Sequence, residues 1–128
     1  MSLTKQEIFD TVATGLVAQG VRSINHNNDC RYRGPNGTKC ALGILITDDE
    51  YVREMEGHSA WSAIPAFELV RFNNHVEFLA AIQDAHDNHM PETKGGPLTA
   101  WLQEMRNIAA QYGLNPQVLD NVPVPTQN

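Results

Sequence analysis

The sequence of 128 residues is short of cysteines, of basic side chains and of long apolar runs. Two cysteines are too few for a disulfide-built scaffold, so we expect free thiols. Nine basic residues against fifteen acidic ones give a net charge of -6, and nucleic acid is therefore not an expected partner. No apolar run is long enough to span a bilayer, and the start lacks the apolar segment of a signal peptide. We expect a cytoplasmic protein without a membrane contact.

Several motifs of common enzyme classes are also missing. The chain has no Gly-x-Ser-x-Gly segment, no phosphate-binding Walker pattern and no paired His-Glu motif of zinc proteases. These absences exclude the best-known hydrolase and nucleotide-binding signatures, and the sequence favours a protein that binds rather than catalyses.

Apolar residues repeated three to four positions apart predict a mainly helical domain of about five helices over residues 1–121. Thr4 and Glu7 form a capping box at the first helix, with Leu3 and Ile8 as the apolar pair around it, and Gly20 ends that helix. The clearest apolar stripe runs over residues 98–112 and is followed by a terminating glycine. Residues 122–128 are predicted to form a flexible tail.

The remaining helices are predicted from caps and prolines. Asn74 is expected to cap a helix that ends before Met90-Pro91. Thr47 and Glu50 form a second capping box, which predicts a short helix ending near residue 57. Pro65 suits the first turn of another short helix through residue 72.

Residues 30–41 are predicted to form a small β-hairpin around the turn Gly34–Gly37. The expected register pairs Gly34 with Thr38. It separates charged from apolar side chains, which is what a half-buried hairpin needs. The segment Cys40–Ile46 is compatible with either a strand or a buried helix.

The basic side chains of the hairpin are the first candidate site. In the expected register Arg31, Arg33 and Lys39 share one face, and Tyr32 lies beside them in the chain. Arginine binds phosphate and carboxylate well, so this face is predicted to contact a partner protein or a small anionic ligand. The alternative is that these bases pair with the acidic segment of residues 48–56.

Cysteine and histidine residues suggest two further possibilities. Cys40 could act as a nucleophile with His86 or His89 as its base, or it could simply pack in the core. Zinc could be held by Cys30, Cys40, His86 and His89, although their spacing matches no common zinc module. No cofactor is therefore expected. The hairpin register places the two sulfurs diagonally, near or beyond the reach of a disulfide.

The sequence allows two roles for each of two further residues. Asp87 either orients a neighbouring histidine or contributes only surface charge. Trp61 lies in a polar connection and is expected to fill the core, with a binding surface as the alternative.

The segment YRGPNGTKCALGILITDDEY, residues 32–51, resembles the signature of a family of small uncharacterised bacterial and phage proteins. Its most specific part is the turn followed by Cys40, Ala41 and Gly43. The resemblance implies a bacterial or phage accessory protein in the cytoplasm of a bacterial host cell. We therefore predict a non-enzymatic binding protein acting on a host protein or a small anionic ligand, with a cysteine-dependent enzyme as the alternative. No oligomeric state is predicted.

Overall fold

The computed structural model describes residues 4–121, which fold mainly into helices as predicted. Short 3-10 turns join the α-helices. Within the described range, no helix is both long and apolar enough to cross a membrane. The predicted tail and Leu3 lie outside the described residues. The α-helices of the described range are α1 (Lys5–Gln19), α2 (Ala41–Leu45), α3 (Ala60–Ala66), α4 (Val76–His89) and α5 (Thr99–Tyr112).

Capping residues define the ends of α1 and α5. The Thr4 hydroxyl accepts the Glu7 amide at 3.1 Å, and the Glu7 carboxylate accepts the Thr4 amide at 2.9 Å, which completes the predicted capping box. Gly20 and Gly113 end the two helices in the left-handed conformation, at φ 70° and 68°. Only glycine adopts this conformation without steric cost, so both predicted stops are confirmed.

One apolar core holds the helices together. α4 packs against α5, α2 and α3, while α1 packs against α2. The largest fully buried side chains come from different parts of the chain and include Phe9, Phe72, Phe78 and Trp101. Burying such side chains is the main source of stability, at about 1.5–3 kcal/mol for each large apolar group.

The predicted hairpin is wrong beyond its turn. The Gly34 amide donates to the Thr38 carbonyl at 2.8 Å, as expected. The flanking segments do not pair, because side chains take their backbone groups: Gln19 accepts the Lys39 amide at 2.8 Å and donates to its carbonyl at 2.9 Å. Glu56 accepts the amides that precede the turn, those of Tyr32 and Arg33, at 2.8 and 3.2 Å.

Residues 30–31 instead pair with the loop before them. Ile24 and Cys30 form an isolated antiparallel bridge, and the Arg31 amide donates to the Ser23 carbonyl at 3.0 Å. After the turn the chain enters α2, with Cys40 as its N-cap. The segment Cys40–Ile46 is therefore helical, and residues 4–121 contain no extended strand.

Three predicted helix boundaries also differ. The Thr47 capping box forms but closes only a turn, since no apolar stripe follows it and a cap alone does not sustain a helix. Pro65 lies near the end of α3 rather than in its first turn, and Ser59 caps that helix. α4 begins at Val76 after a 3-10 turn, with His75 rather than Asn74 at its N-cap.

Gly43→Ala tests how closely α2 approaches the preceding loop. A Cβ atom at residue 43 would lie 2.5 Å from the Tyr32 carbonyl oxygen, a backbone atom that cannot simply rotate away. We expect a loss of about 1–3 kcal/mol in the free energy of unfolding, whereas the same change in an open helix gains about 1 kcal/mol. Urea denaturation measures both quantities.

Gly15→Ala is the matched control in α1. There the nearest atom is the end of the flexible Ile44 side chain, at 2.9 Å. A Gly43→Ala protein as stable as Gly15→Ala would contradict the close contact.

Candidate functional site

A cleft of about 820 Å³ opens between the loop at residues 29–32, the segment at 56–61 and the exposed side of α4. Cys30, Trp61, Gln83 and Asp87 line it, together with Arg31 and Tyr32 of the first predicted site. A volume of several hundred Å³ is typical of ligand sites, so this is the candidate site.

The wall of the cleft is acidic. Asp29 and Asp84 are exposed, and the Asp87 side chain is 36% exposed. The other charges largely cancel, since Arg31 Nε lies 3.6 Å from the Glu56 carboxylate. The uncompensated charge of the wall is therefore negative, and it favours a cationic ligand.

Trp61 is 58% exposed at the edge of the cleft, so the expectation that it fills the core is wrong. The buried face of α3 carries Ala60, Ala63 and Ile64, whose spacing of three and four positions defines a helical stripe. Trp61 lies off that stripe. The sequence therefore contained the information that places the indole outside the core.

Gln83 organises the base of the cleft, and sequence reasoning missed it. Its amide nitrogen donates to Cys30 Sγ at 3.2 Å and to Asp87 Oδ1 at 2.8 Å. Its amide oxygen accepts the Leu42 amide at 3.1 Å. The available signal was helical spacing, because Gln83 precedes His86 and Asp87 by three and four positions on α4.

His86 is fully buried behind this layer and holds the Ser23 loop against α4. The Ser23 amide donates to His86 Nε2 at 3.0 Å. A backbone N–H can only donate, so Nε2 must be the acceptor and the proton of the neutral ring lies on Nδ1. Nδ1 then donates to Asp87 Oδ1 at 2.8 Å. Asp87 thus orients the histidine, as one of its two predicted roles required.

The charges of this pair support each other. Burial opposes protonation of His86, but interactions with Asp87 and Cys30 together outweigh it and raise the pKa of His86. Burial likewise opposes ionisation of Asp87, but interactions with His86, Cys30 and Gln83 together outweigh it and lower the pKa of Asp87. Protonating Nε2 would set it against the Ser23 N–H, so a charged ring must release Ser23.

The predicted zinc ligands are only partly brought together. Ligand atoms of Cys30, His86 and Asp87 lie within 4.8 Å of one another. His89 is directed elsewhere, with Nε2 3.8 Å from Glu104 of α5. Metal binding through His86 Nδ1 would move the ring proton to Nε2, where the Ser23 N–H already points. The cluster therefore does not fit a metal in this arrangement.

The two cysteines have different environments. Cys40 is fully buried, and its sulfur accepts the Gly43 amide at 3.3 Å as the cap of α2. Cys30 is half-buried on the cleft wall. Interaction with the Cys40 thiol and then burial raise the pKa of Cys30. The hairpin register from which the separation of the sulfurs was predicted does not form in the described residues.

The basic residues of the first candidate site are engaged inside the fold. Arg33 donates to the carbonyl oxygens of Gly43 at 2.7 Å and Ile46 at 3.2 Å, and to Asp48 at 3.1 Å. Tyr32 is buried, and its hydroxyl donates to the His58 carbonyl at 2.8 Å. Arg31 pairs with Glu56, and Lys39 is half-buried and held through its backbone. Arg31 and Arg33 therefore pair with residues 48–56, as the alternative predicts, whereas Lys39 is bonded to Gln19 through its backbone.

Comparisons of the chain with protein-family models, with curated proteins and with solved structures found no match. The resemblance to bacterial and phage proteins therefore stays a prediction, and function is argued from the geometry of the cleft.

The His86 tautomer can be tested by nuclear magnetic resonance. We expect the neutral ring to carry its proton on Nδ1, and the Ser23 amide signal to shift with the same midpoint as His86 when the pH is lowered. Long-range nitrogen–proton spectra report both. A neutral ring protonated on Nε2 would contradict the Ser23 hydrogen bond and reopen the metal interpretation.

Arg33→Ala separates a structural from a binding role of the basic segment. The substitution leaves buried carbonyl groups without a donor, and we expect unfolding to become easier by about 2–3 kcal/mol. Arg53→Ala, at an exposed position, removes the same charge and should change stability by less than about 0.5 kcal/mol. Equal stabilities of the two variants in urea denaturation would contradict the structural role of Arg33 and favour a role in surface contact.

Proposed function

We propose that this chain is a non-enzymatic binding protein that holds a positively charged segment of a partner protein in the cleft. The observation that carries the proposal is the combination of uncompensated carboxylates with an exposed indole around one cavity of about 820 Å³.

Charge defines the chemistry of the partner. Asp29, Asp84 and Asp87 present carboxylates to the cleft, while Arg31 is neutralised by Glu56. A lysine or arginine side chain entering the cleft would find acceptors on more than one side. The net charge of -6 adds a long-range attraction that speeds encounter with a basic partner.

Trp61 supplies the apolar part of the proposed contact. An indole that is 58% exposed gains free energy when a partner covers it, and tryptophan is enriched among the residues that dominate binding energy. Its ring also attracts cations, which suits the charge of the wall. The same partner side chain could therefore contact both the indole and the carboxylates.

The chemistry of the thiols favours binding over catalysis. Cys40 is fully buried and caps a helix, so it does not face a substrate. Cys30 faces the cleft, but neighbouring His86 has its acceptor nitrogen engaged by Ser23 and its other nitrogen protonated. The histidine therefore lacks a lone pair with which to take the thiol proton. These contacts support the binding role against the cysteine-dependent alternative.

The proposed ligand is cationic, whereas the sequence predicts an anionic one. An anionic ligand was expected because Arg31, Arg33 and Lys39 were to share a hairpin face, and that face does not form. The resemblance to bacterial and phage proteins points to a host protein as the partner and to the bacterial cytoplasm as the location. Both remain part of the proposal.

A short lysine peptide tests the proposal directly. We expect it to quench or shift the fluorescence of Trp61, with Trp101 as a buried background, and to bind more weakly as salt is added. Asp29→Asn combined with Asp84→Asn should weaken binding about tenfold, at about 0.5–1 kcal/mol for each exposed ion pair.

The matched control combines Asp49→Asn with Glu54→Gln, which removes the same charge at exposed positions outside the cleft. Equal weakening in both double variants would show that only the net charge matters. Equal binding of a short glutamate peptide would remove the proposal altogether.

A further inference from the structure

The two cysteines carry chemistry that the binding role does not use. The Cys30 thiol interacts with the thiol of Cys40, which raises the pKa of Cys30. Both are free in the structure. A disulfide requires the two Cα atoms to lie about 4.4–6.8 Å apart, so the backbone around the two thiols must hold the segments of Cys30 and Cys40 together.

Independent contacts hold that backbone in place. The Gln83 amide bridges Cys30 Sγ, at 3.2 Å, and the Leu42 amide in the first turn of α2, at 3.1 Å. The same turn lies against the backbone of Tyr32, where a Cβ on Gly43 would come within 2.5 Å of the carbonyl oxygen. The Gly43 amide donates to Cys40 Sγ at 3.3 Å and fixes the second sulfur.

The two thiols differ in access. Cys30 is half-buried and lines the cleft, whereas Cys40 is fully buried behind it. A reagent in solution therefore reaches Cys30 first, and Cys40 meets only what is already attached to Cys30. This asymmetry assigns an order to any exchange reaction at the pair.

We propose that Cys30 and Cys40 form a reversible disulfide by exchange with a small disulfide such as oxidised glutathione, with Cys30 as the entry thiol. In the first step the Cys30 sulfur attacks one sulfur of the reagent, whose S–S bond breaks, and a protonated glutathione leaves. In the second step the Cys40 sulfur attacks the mixed disulfide at Cys30, and the second glutathione leaves with the Cys40 proton. Two protein thiols are oxidised and one small disulfide is reduced to two thiols.

The environment of Cys30 sets the pace of the first step. Its interaction with Cys40 and its burial raise its pKa, so the reactive thiolate is scarce near neutral pH. The reaction is therefore slow at pH 7 and accelerates as the pH rises. The second step joins two sulfurs of the same chain, so it needs no encounter with a second molecule.

Oxidation also has a consequence for the cleft. A sulfur bonded to Cys40 leaves its hydrogen-bonded position beside Gln83 and Asp87, so the wall is altered where a cationic group would bind. This effect on binding rests on the proposed function. The disulfide itself does not, since it forms without a partner.

The experiment treats the folded full-length chain with oxidised glutathione at about pH 8, near the usual thiol pKa, and follows intact mass and a non-reducing peptide map. We expect the unsubstituted protein to lose two hydrogens and to yield a linked Cys30–Cys40 peptide. Cys40→Ser should stop at a glutathione adduct on Cys30, about tenfold more abundant than in the unsubstituted protein. Serine retains the helix cap, so this variant keeps its fold. Cys30→Ser should stay unmodified.

Two outcomes would overturn the inference. One is an unsubstituted protein that accumulates as much glutathione adduct as Cys40→Ser. The other is a folded protein that stays reduced while its urea-unfolded form reacts. Since no peptide partner is present, neither outcome depends on whether the cleft binds a basic segment. Repeating the lysine-peptide titration on the oxidised protein then measures the coupling separately.

Discussion

The contact between the Tyr32 carbonyl and Gly43 is the constraint on which the cleft depends. It brings residues 30–33 onto the first turn of α2 with no side chain between the two backbones. Arg33 then secures the approach by donating to the carbonyl oxygens of both Tyr32 and Gly43, at 3.2 and 2.7 Å. Without this approach the loop that carries Cys30 would not pack against α2, and the cleft would lose its base.

In this loop, side chains supply the hydrogen-bond partners that neighbouring strands supply in a β-sheet. The loop at residues 30–40 buries backbone amides that need acceptors, and an unpaired buried amide costs about 1–3 kcal/mol. Gln19 and Glu56 supply the missing partners, the latter also accepting the Tyr51 hydroxyl at 2.7 Å. An irregular loop can therefore be rigid, and it holds the cleft-lining side chains in fixed positions.

Sequence reasoning succeeded where the determinants are local. Thr4 with Glu7, and the terminating Gly20, act within a few residues of one another, so the ends of α1 follow from the chain alone. The hairpin failed because Gln19 and Glu56, about twenty positions away, outcompete strand pairing for the same backbone groups. Helical spacing would have placed Trp61 outside the core. The burial of His86, however, depends on the Ser23 amide 63 residues away, and no local pattern encodes that.

Gln83 illustrates how much can rest on the orientation of one amide. Its oxygen faces a donor, the Leu42 N–H, and its nitrogen faces two acceptors, so the group fits in only one of its two orientations. A glutamate of nearly the same shape would place an acceptor against the Cys30 sulfur and a second negative charge beside Asp87. Slow deamidation of this side chain during the life of the protein would have the same effect. The form of the cleft therefore depends on this side chain remaining a neutral amide.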